Sequence, residues 1–209
     1  MQKQRESDWN HRYLSGHTPW EDSEPFERLE EVSSEFTSKA ARVLEIGCGL
    51  GTNAHKLAEL GYRVTAIDIS QKAVDLASER YQHSNLEYRC INFLEDDFKE
   101  QFDLVFDKGC MHSFRKLQDY RRFARGVYEL LRTNGIWINV SGNADNRDDL
   151  VKRKSDLFPR LSLSRIAVST EECFEILSAK RTPYGKEVSF MAWLVVMQKR
   201  SFFYGDLGV

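Results

Sequence analysis

The sequence predicts an α/β domain, a mostly parallel sheet covered by helices on both faces. Three observations predict it. Strand-like and helix-like periodicities alternate between residues 41 and 140; a glycine-rich turn follows the first strand and opens a helix; and the last two strands are too close in sequence for a crossover helix, so they should run antiparallel.

The elements follow in order. Residues 42–46 form a short apolar strand, and after the glycine turn Ala54, Leu57 and Ala58 share one face of a helix, which Gly61 ends where a left-handed residue is needed. Residues 63–67 are the second strand, and Ser70 caps a helix carrying Ala73, Val74 and Ala77. Residues 86–91 and 102–106 are the third and fourth strands. Leu117, Tyr120, Phe123, Ala124, Val127, Leu130 and Leu131 recur as the apolar stripe of an amphipathic helix, and residues 135–140 are the fifth strand. Residues 163–168 then read as a short helix. Residues 174–180 and 188–197 read as two strands about a turn at Pro183, Tyr184 and Gly185.

With 209 residues and no repeat or Pro/Gly-rich linker, the chain is expected to be one domain over 1–209: an arm or cap at 1–40, the core sheet and helices at 41–200, and a tail at 201–209. Hydrophobic residues at 41% and charged residues at 30% suit an ordinary globular core. A formal net charge of −2 supplies no positive field, so neither nucleic acid nor an anionic membrane is expected as a partner. Residues 1–7 are polar, unlike a signal peptide, and the longest apolar run, 190–197, is too short to span a bilayer. Cys48, Cys90, Cys110 and Cys173 lack zinc-type spacing and suit reduced thiols in a cytoplasmic protein. Oligomeric state is not legible.

The sharpest motif is Glu45-Ile46-Gly47-Cys48-Gly49-Leu50-Gly51, lying between a strand and a helix. Glycines there let the backbone approach a ligand beyond the carboxyl ends of the strands. Asp68 ends the second strand about 20 residues on, where a carboxylate can accept hydrogen bonds from two ribose hydroxyls. A dinucleotide needs G-x-G-x-x-G, whose helix N-terminus faces a pyrophosphate, but here the sixth position is Thr52. Glu45, two positions before the first glycine, suits a cationic ligand better than a phosphate. S-adenosylmethionine (SAM) carries an ammonium and a sulfonium and no phosphate, and is the favoured ligand.

These residues resemble the Rossmann-like class I SAM-dependent methyltransferases over almost the whole chain. The resemblance implies a seven-stranded mixed sheet of order 3-2-1-4-5-7-6 with strand seven antiparallel, SAM as cofactor and S-adenosylhomocysteine as product. It assigns cofactor contacts to Glu45, Gly47, Cys48, Gly49, Gly51, Asn53, Asp68, Ile69, Asn92, Phe93 and Asp107. The segment from Trp9 to Trp20, and Phe102-Asp103-Leu104-Val105-Phe106-Asp107-Lys108-Gly109-Cys110, look like the arm and fourth-strand motif of the thiopurine and tellurite-resistance methyltransferase branch, with Lys108 where thiopurine enzymes usually have arginine. That branch implies that Trp9, Tyr13 and Trp20 cover the cofactor, as aromatic faces attract cations; the plainer role is packing the arm against the domain.

His112, just past the fourth strand, could take a proton from an attacking thiol, hydroxyl or amine, and Lys108 could neutralise an anionic acceptor. Cys110 is expected to serve as a small residue, since direct transfer from a sulfonium needs no enzyme nucleophile. No metal is expected: a catechol-type site would need Asp107 with an Asp–Asn pair ending strand five, and Asp145-Asn146 lies past it. Strand four also lacks the [D/N]-P-P-[aromatic] motif of amino methylases acting on nucleic acid. The expected activity is therefore in-line methyl transfer to a small-molecule acceptor. The alternatives are an NAD(P)-dependent oxidoreductase and a SAM-binding module without turnover.

Overall fold

The computed structural model describes residues 2–96, 98–145, 160–185 and 190–201. Its strands are β1 (Arg42–Ile46), β2 (Arg63–Asp68), β3 (Leu86–Cys90), β4 (Phe102–Lys108), β5 (Leu131–Gly142), β6 (Phe174–Pro183) and β7 (Met191–Lys199). They form one sheet in the order β3-β2-β1-β4-β5-β7-β6, the order that the family resemblance implies. The pairs β1–β2, β1–β4, β2–β3 and β4–β5 are parallel, while β7 runs antiparallel to both β5 and β6.

The helices among the described residues are α1 (Gln2–Leu14), α2 (Leu29–Phe36), α3 (Thr52–Glu59), α4 (Gln71–Arg80), α5 (Leu117–Leu130) and α6 (Leu163–Thr170), with a 3-10 turn at Met111–Ser113. Successive strand side chains point to opposite faces, so each strand feeds two cores. Val43, Leu104 and Ile138 meet Ala54 and Leu57 of α3 and Phe26, Leu29 and Val32 of the arm. Leu44, Val105 and Trp137 meet Phe123, Ala124 and Val127 of α5 and Ile166 of α6. Of the expected stripe, Tyr120, Phe123, Ala124, Val127 and Leu130 are buried on α5, while Leu117 is half-buried and Leu131 falls in β5; each large buried side chain contributes roughly 1.5–3 kcal/mol.

Local signals behave as read. Ser70 caps α4, its hydroxyl accepting the Ala73 N–H at 3.1 Å, and Gly61 follows α3 in the left-handed conformation. Several boundaries move. β5 starts at Leu131, which pairs with Phe102 before the register shifts, earlier than the glycine at 135 suggests. β6 continues to Pro183 because its pairing with β7 does. β7 is described from Met191, so residues 188 and 189 of the expected strand lie outside the described residues, as do Asn146 and the aromatics at 202–204.

The arm is tied to the sheet layer at named points. Asn10 Oδ1 on α1 accepts from Ser70 Oγ at 2.8 Å and the Lys72 N–H at 3.0 Å, holding α1 against the start of α4. The Phe26 N–H donates to Asn53 Oδ1 at 2.7 Å. No described helix is long and apolar enough to cross a membrane.

Candidate functional site

A cavity of about 690 Å³ opens at the carboxyl ends of β1, β2 and β4, walled on its outer side by the arm. The first strand delivers Glu45 and then turns. Gly47 and Gly49 take positive φ values of 72° and 54°, and the Gly47 and Cys48 N–H groups both donate to Ile67 O. Any other residue at Gly47 would put its Cβ 2.9 Å from Cys110 Cβ, so the β4 loop lies directly on the turn. Cys110 is thus a packing neighbour, as expected of a small residue.

Asp68 closes β2 with both oxygens held by backbone: Oδ2 accepts the Gly49 N–H at 3.0 Å and Oδ1 the Ser70 N–H at 2.9 Å. A carboxylate has about four lone-pair sites, so two remain for hydroxyl donors. Glu45 is fully buried and its Oε2 has no hydrogen-bond partner. Its side chain bonds to Asn53, whose carbonyl oxygen is already used by Phe26.

A third carboxylate, which sequence reasoning missed, enters from the arm. Glu21 Oε1 accepts from Tyr13 Oη at 2.9 Å and from the Leu50 N–H at 3.3 Å, and would lie 2.1 Å from a Cβ at Gly49. Burial raises the pKa of Glu21, Glu45 and Asp68, and their mutual repulsion adds to it at Glu21 and Glu45. Lys108 partly offsets this, acting as a cation on Glu21 and Glu45 while burial lowers its own pKa. Its Nζ stands 4.4 Å over the Tyr184 ring.

The arm aromatics form one cluster on the cavity wall. Trp9 and Trp20 meet edge to face at 5.2 Å, Trp20 Nε1 donates to Tyr13 Oη at 3.2 Å, and the Arg12 guanidinium sits 5.6 and 5.5 Å from the two indole rings. Opposite, Asn92, Phe93 and Ile69 line the cavity, with Phe93 fixed edge to face on Phe123 at 4.9 Å.

His112 lies at the deep end, buried, its Nδ1 accepting the Gly142 N–H at 2.8 Å. Burial lowers its pKa to about 4, with Lys108 and Arg160 adding to the effect. A neutral ring whose Nδ1 accepts carries its proton on Nε2, so it offers a hydrogen-bond donor at neutral pH. Tyr184 stacks on it at 5.8 Å, and Phe190 stacks on Tyr184 at 4.6 Å. Tyr184 is the second residue missed. Its turn position was legible, but its approach to Gly109 depends on how β6 and β7 return to the sheet.

Of the residues singled out from sequence, Trp9, Tyr13, Trp20, Glu45, Gly47, Cys48, Gly49, Asn53, Asp68, Ile69, Asn92, Phe93, Lys108 and His112 all line this cavity. Gly51 and Asp107 do not. Gly51 caps α3, with Tyr88 Oη 2.5 Å from where its Cβ would be. Asp107 is wholly buried and holds the core together, accepting from Trp137 Nε1 at 2.8 Å, Asn139 Nδ2 at 2.9 Å and the Met111 N–H at 3.0 Å. Asp145 is likewise engaged elsewhere, with Trp193 Nε1 and the Leu163 N–H.

Residues 43–135 match the family model described as a methyltransferase domain. An uncharacterized methyltransferase of Schizosaccharomyces pombe is 42% identical over 74 residues, covering 34% of this chain and 51% of the relative. The chain spans about half the length of the curated relatives it matches. Among solved structures, one from work on conversion of a disulfide bond into a thioacetal group during echinomycin biosynthesis superposes with a TM-score of 0.77 at 19% identity, covering 97% of this chain and 95% of that one. The 1,6-didemethyltoxoflavin-N1-methyltransferase of Burkholderia thailandensis, solved with 1,6-didemethyltoxoflavin and S-adenosylhomocysteine, gives 0.75 at 20% identity over 94% and 87% of the two chains. The chain has the Rossmann-like class I methyltransferase fold, and the stretch from β1 into the start of β5 is the part that resembles the methyltransferase-domain family.

Proposed function

We propose that this protein is a SAM-dependent methyltransferase that transfers a methyl group directly to a small-molecule acceptor. The observation that carries the reading is the buried, unpartnered Glu45 carboxylate oxygen, which shares one cavity with Asp68 and the glycine turn. An orphaned buried carboxylate is costly unless a cation meets it. The ammonium of SAM is such a cation, and its ribose hydroxyls match the two lone-pair sites left on Asp68. A dinucleotide fits poorly, because its pyrophosphate would lie against Glu21 and Glu45. The small ligand seen in the Burkholderia enzyme supports a small acceptor here, and four free cysteines support a cytoplasmic setting. The arm and fourth-strand motifs support the thiopurine and tellurite-resistance branch.

When bound, SAM supplies an electrophilic methyl on a sulfonium. The protein's part is holding, orienting and drying. Trp9, Tyr13 and Trp20 close the outer wall against water, and Phe93 supplies an apolar face where an adenine would lie. Lys108 and the Nε2–H of His112 offer positive charge and a donor to an acceptor that attacks as an anion, so the acceptor is held beside the methyl in attack geometry. With Nδ1 engaged by Gly142, His112 serves that acceptor as a donor, and an acceptor of low pKa, such as a thiol, needs no base.

The test is calorimetry with SAM and S-adenosylhomocysteine, followed by a methyl-transfer screen across small thiols, oxyanions and phenols. Dissociation constants in the micromolar range, about −8 kcal/mol, are expected. Absence of saturable heat with both ligands at high micromolar concentration overturns the reading.

A further inference from the structure

Around the glycine turn the cavity holds three carboxylates, Glu21, Glu45 and Asp68, against a single cation, Lys108. The remaining lining charges, Arg115, Lys116, Arg122, Glu95 and Asp119, come from α5, the segment leading into it and the loop after β3. Arg12 stands on the Trp9 and Trp20 rings and does not line the cavity. Asp68 is held by backbone N–H groups and Glu45 by Asn53, both within the sheet and its first helix. Glu21 differs, for it arrives from the arm across the glycine turn.

A strut between Tyr13 Oη and the Leu50 N–H needs only a neutral acceptor oxygen, which glutamine would supply. Placing a full carboxylate there, in a cavity already holding two, costs electrostatic energy unless the ligand brings positive charge. SAM and S-adenosylhomocysteine share the ammonium, the carboxylate and the ribose. They differ by the methyl and its sulfonium charge, so the donor is a net monocation and the product is neutral.

Resting on the methyltransferase reading above, we propose that Glu21 is a specificity-determining residue: reaching over Gly49 from the arm, it makes the site favour the cationic donor over its neutral product. Product departure is then built into the charge balance, because methyl transfer removes the positive charge that the third carboxylate opposes. The arm carrying Glu21 also carries Tyr13 and Trp20, so the group that senses the charge sits on the outer wall of the cavity.

Calorimetry on the full chain tests this with both ligands, comparing the parent, Glu21→Gln and Glu24→Gln, the last an exposed charge on the same arm. Glu21→Gln is expected to weaken SAM about ten-fold and S-adenosylhomocysteine by no more than about two-fold, from loss of one unscreened charge at partly buried range. Glu24→Gln should leave both within about two-fold. Equal weakening of both ligands, or of neither, overturns the proposal, since Glu21 would then serve groups common to the two or act only as a strut. If Glu21→Gln does not fold, Glu21→Asp must keep the parent's ratio of the two dissociation constants within about two-fold; collapse of that ratio overturns the proposal as well. A parent protein that binds neither ligand refutes the methyltransferase reading itself, a distinct outcome.

Discussion

Substituting Gly49 by alanine should uncouple the arm from the sheet by a calculable amount. Gly49 has φ +54°, and an L-residue held there costs roughly 1–2 kcal/mol. The new Cβ would lie 2.1 Å from Glu21 Oε1, which must withdraw. Withdrawal breaks the 2.9 Å bond from Tyr13 and the weaker 3.3 Å bond from the Leu50 N–H. Hydrogen bonds to a charged group contribute about 1.5–3 kcal/mol each, and taking the low end because one is long gives about 2–3 kcal/mol for the pair. The total, roughly 3–5 kcal/mol, should lower the urea midpoint by about 1.5 M at a slope near 2–3 kcal/mol/M. The decisive assay is a double-mutant cycle. In a Glu21→Ala background the same substitution should cost only the backbone strain, so the coupling energy should be about 2–3 kcal/mol. Additivity within about 0.5 kcal/mol would refute the idea that Glu21 rests on the glycine turn.

Two further outcomes follow from the site. Asp68→Ala should weaken S-adenosylhomocysteine by about 1.5–3 kcal/mol, because two hydroxyls lose a charged acceptor; calorimetry showing an unchanged constant in a folded variant removes the ribose role. His112→Gln should change the pH dependence of stability. The folded pKa of His112 is depressed to about 4, so the unfolded chain binds the proton first and the native state loses about 3 kcal/mol as pH falls from about 6.5 to 4. Asp107, raised to about 6, acts in the opposite sense, favouring the native state as pH falls through the same window. The raised carboxylates Glu21, Glu45 and Asp68 act in the same sense as Asp107, and all four are common to parent and variant, so they cancel in the comparison. The stability of the variant relative to the parent should therefore improve by about 3 kcal/mol between pH 7 and pH 4 in urea titrations. A pH-independent difference would mean that His112 is not held neutral.

The sheet was legible because its determinants are local. A short apolar strand, a glycine turn, a cap at Ser70 and a two-strand ending with no room for a crossover each occupy a few consecutive residues; together they point to a mostly parallel sheet with an antiparallel end, while the strand order came from the family resemblance. That Glu45, Gly47, Gly49 and Asp68 share one cavity was legible for the same reason, since they sit at fixed distances from strand ends. Asp107 was misplaced by that logic. It also ends a strand, but Trp137 and Asn139 on β5 hold its Oδ2 while the Met111 N–H holds Oδ1, and partners contributed by a neighbouring strand leave no trace in spacing.

The arm is where sequence periodicity stops helping. Its aromatics announce themselves by size, yet what fixes their place is polar and non-local: Asn10 to Ser70 and Lys72, Glu21 to Leu50, Phe26 to Asn53. Each bond joins the arm to a residue tens of positions away, and neither Asn10 nor Glu21 nor the Phe26 backbone N–H stands out in the sequence. Their common target is more telling than any one of them. Ser70 follows Asp68, Leu50 follows Gly49, and Asn53 bonds to Glu45. The arm is therefore hydrogen-bonded to near neighbours or partners of three of the residues proposed to hold the cofactor, Asp68, Gly49 and Glu45. Such an arrangement makes arm position and pocket geometry one variable: a ligand that shifts Asp68, Gly49 or Glu45 must strain or release an arm contact. Whether the arm moves often or seldom, it cannot move independently of the site it covers, and ligand binding should register in the arm's amide exchange before it registers in the distant β6–β7 hairpin.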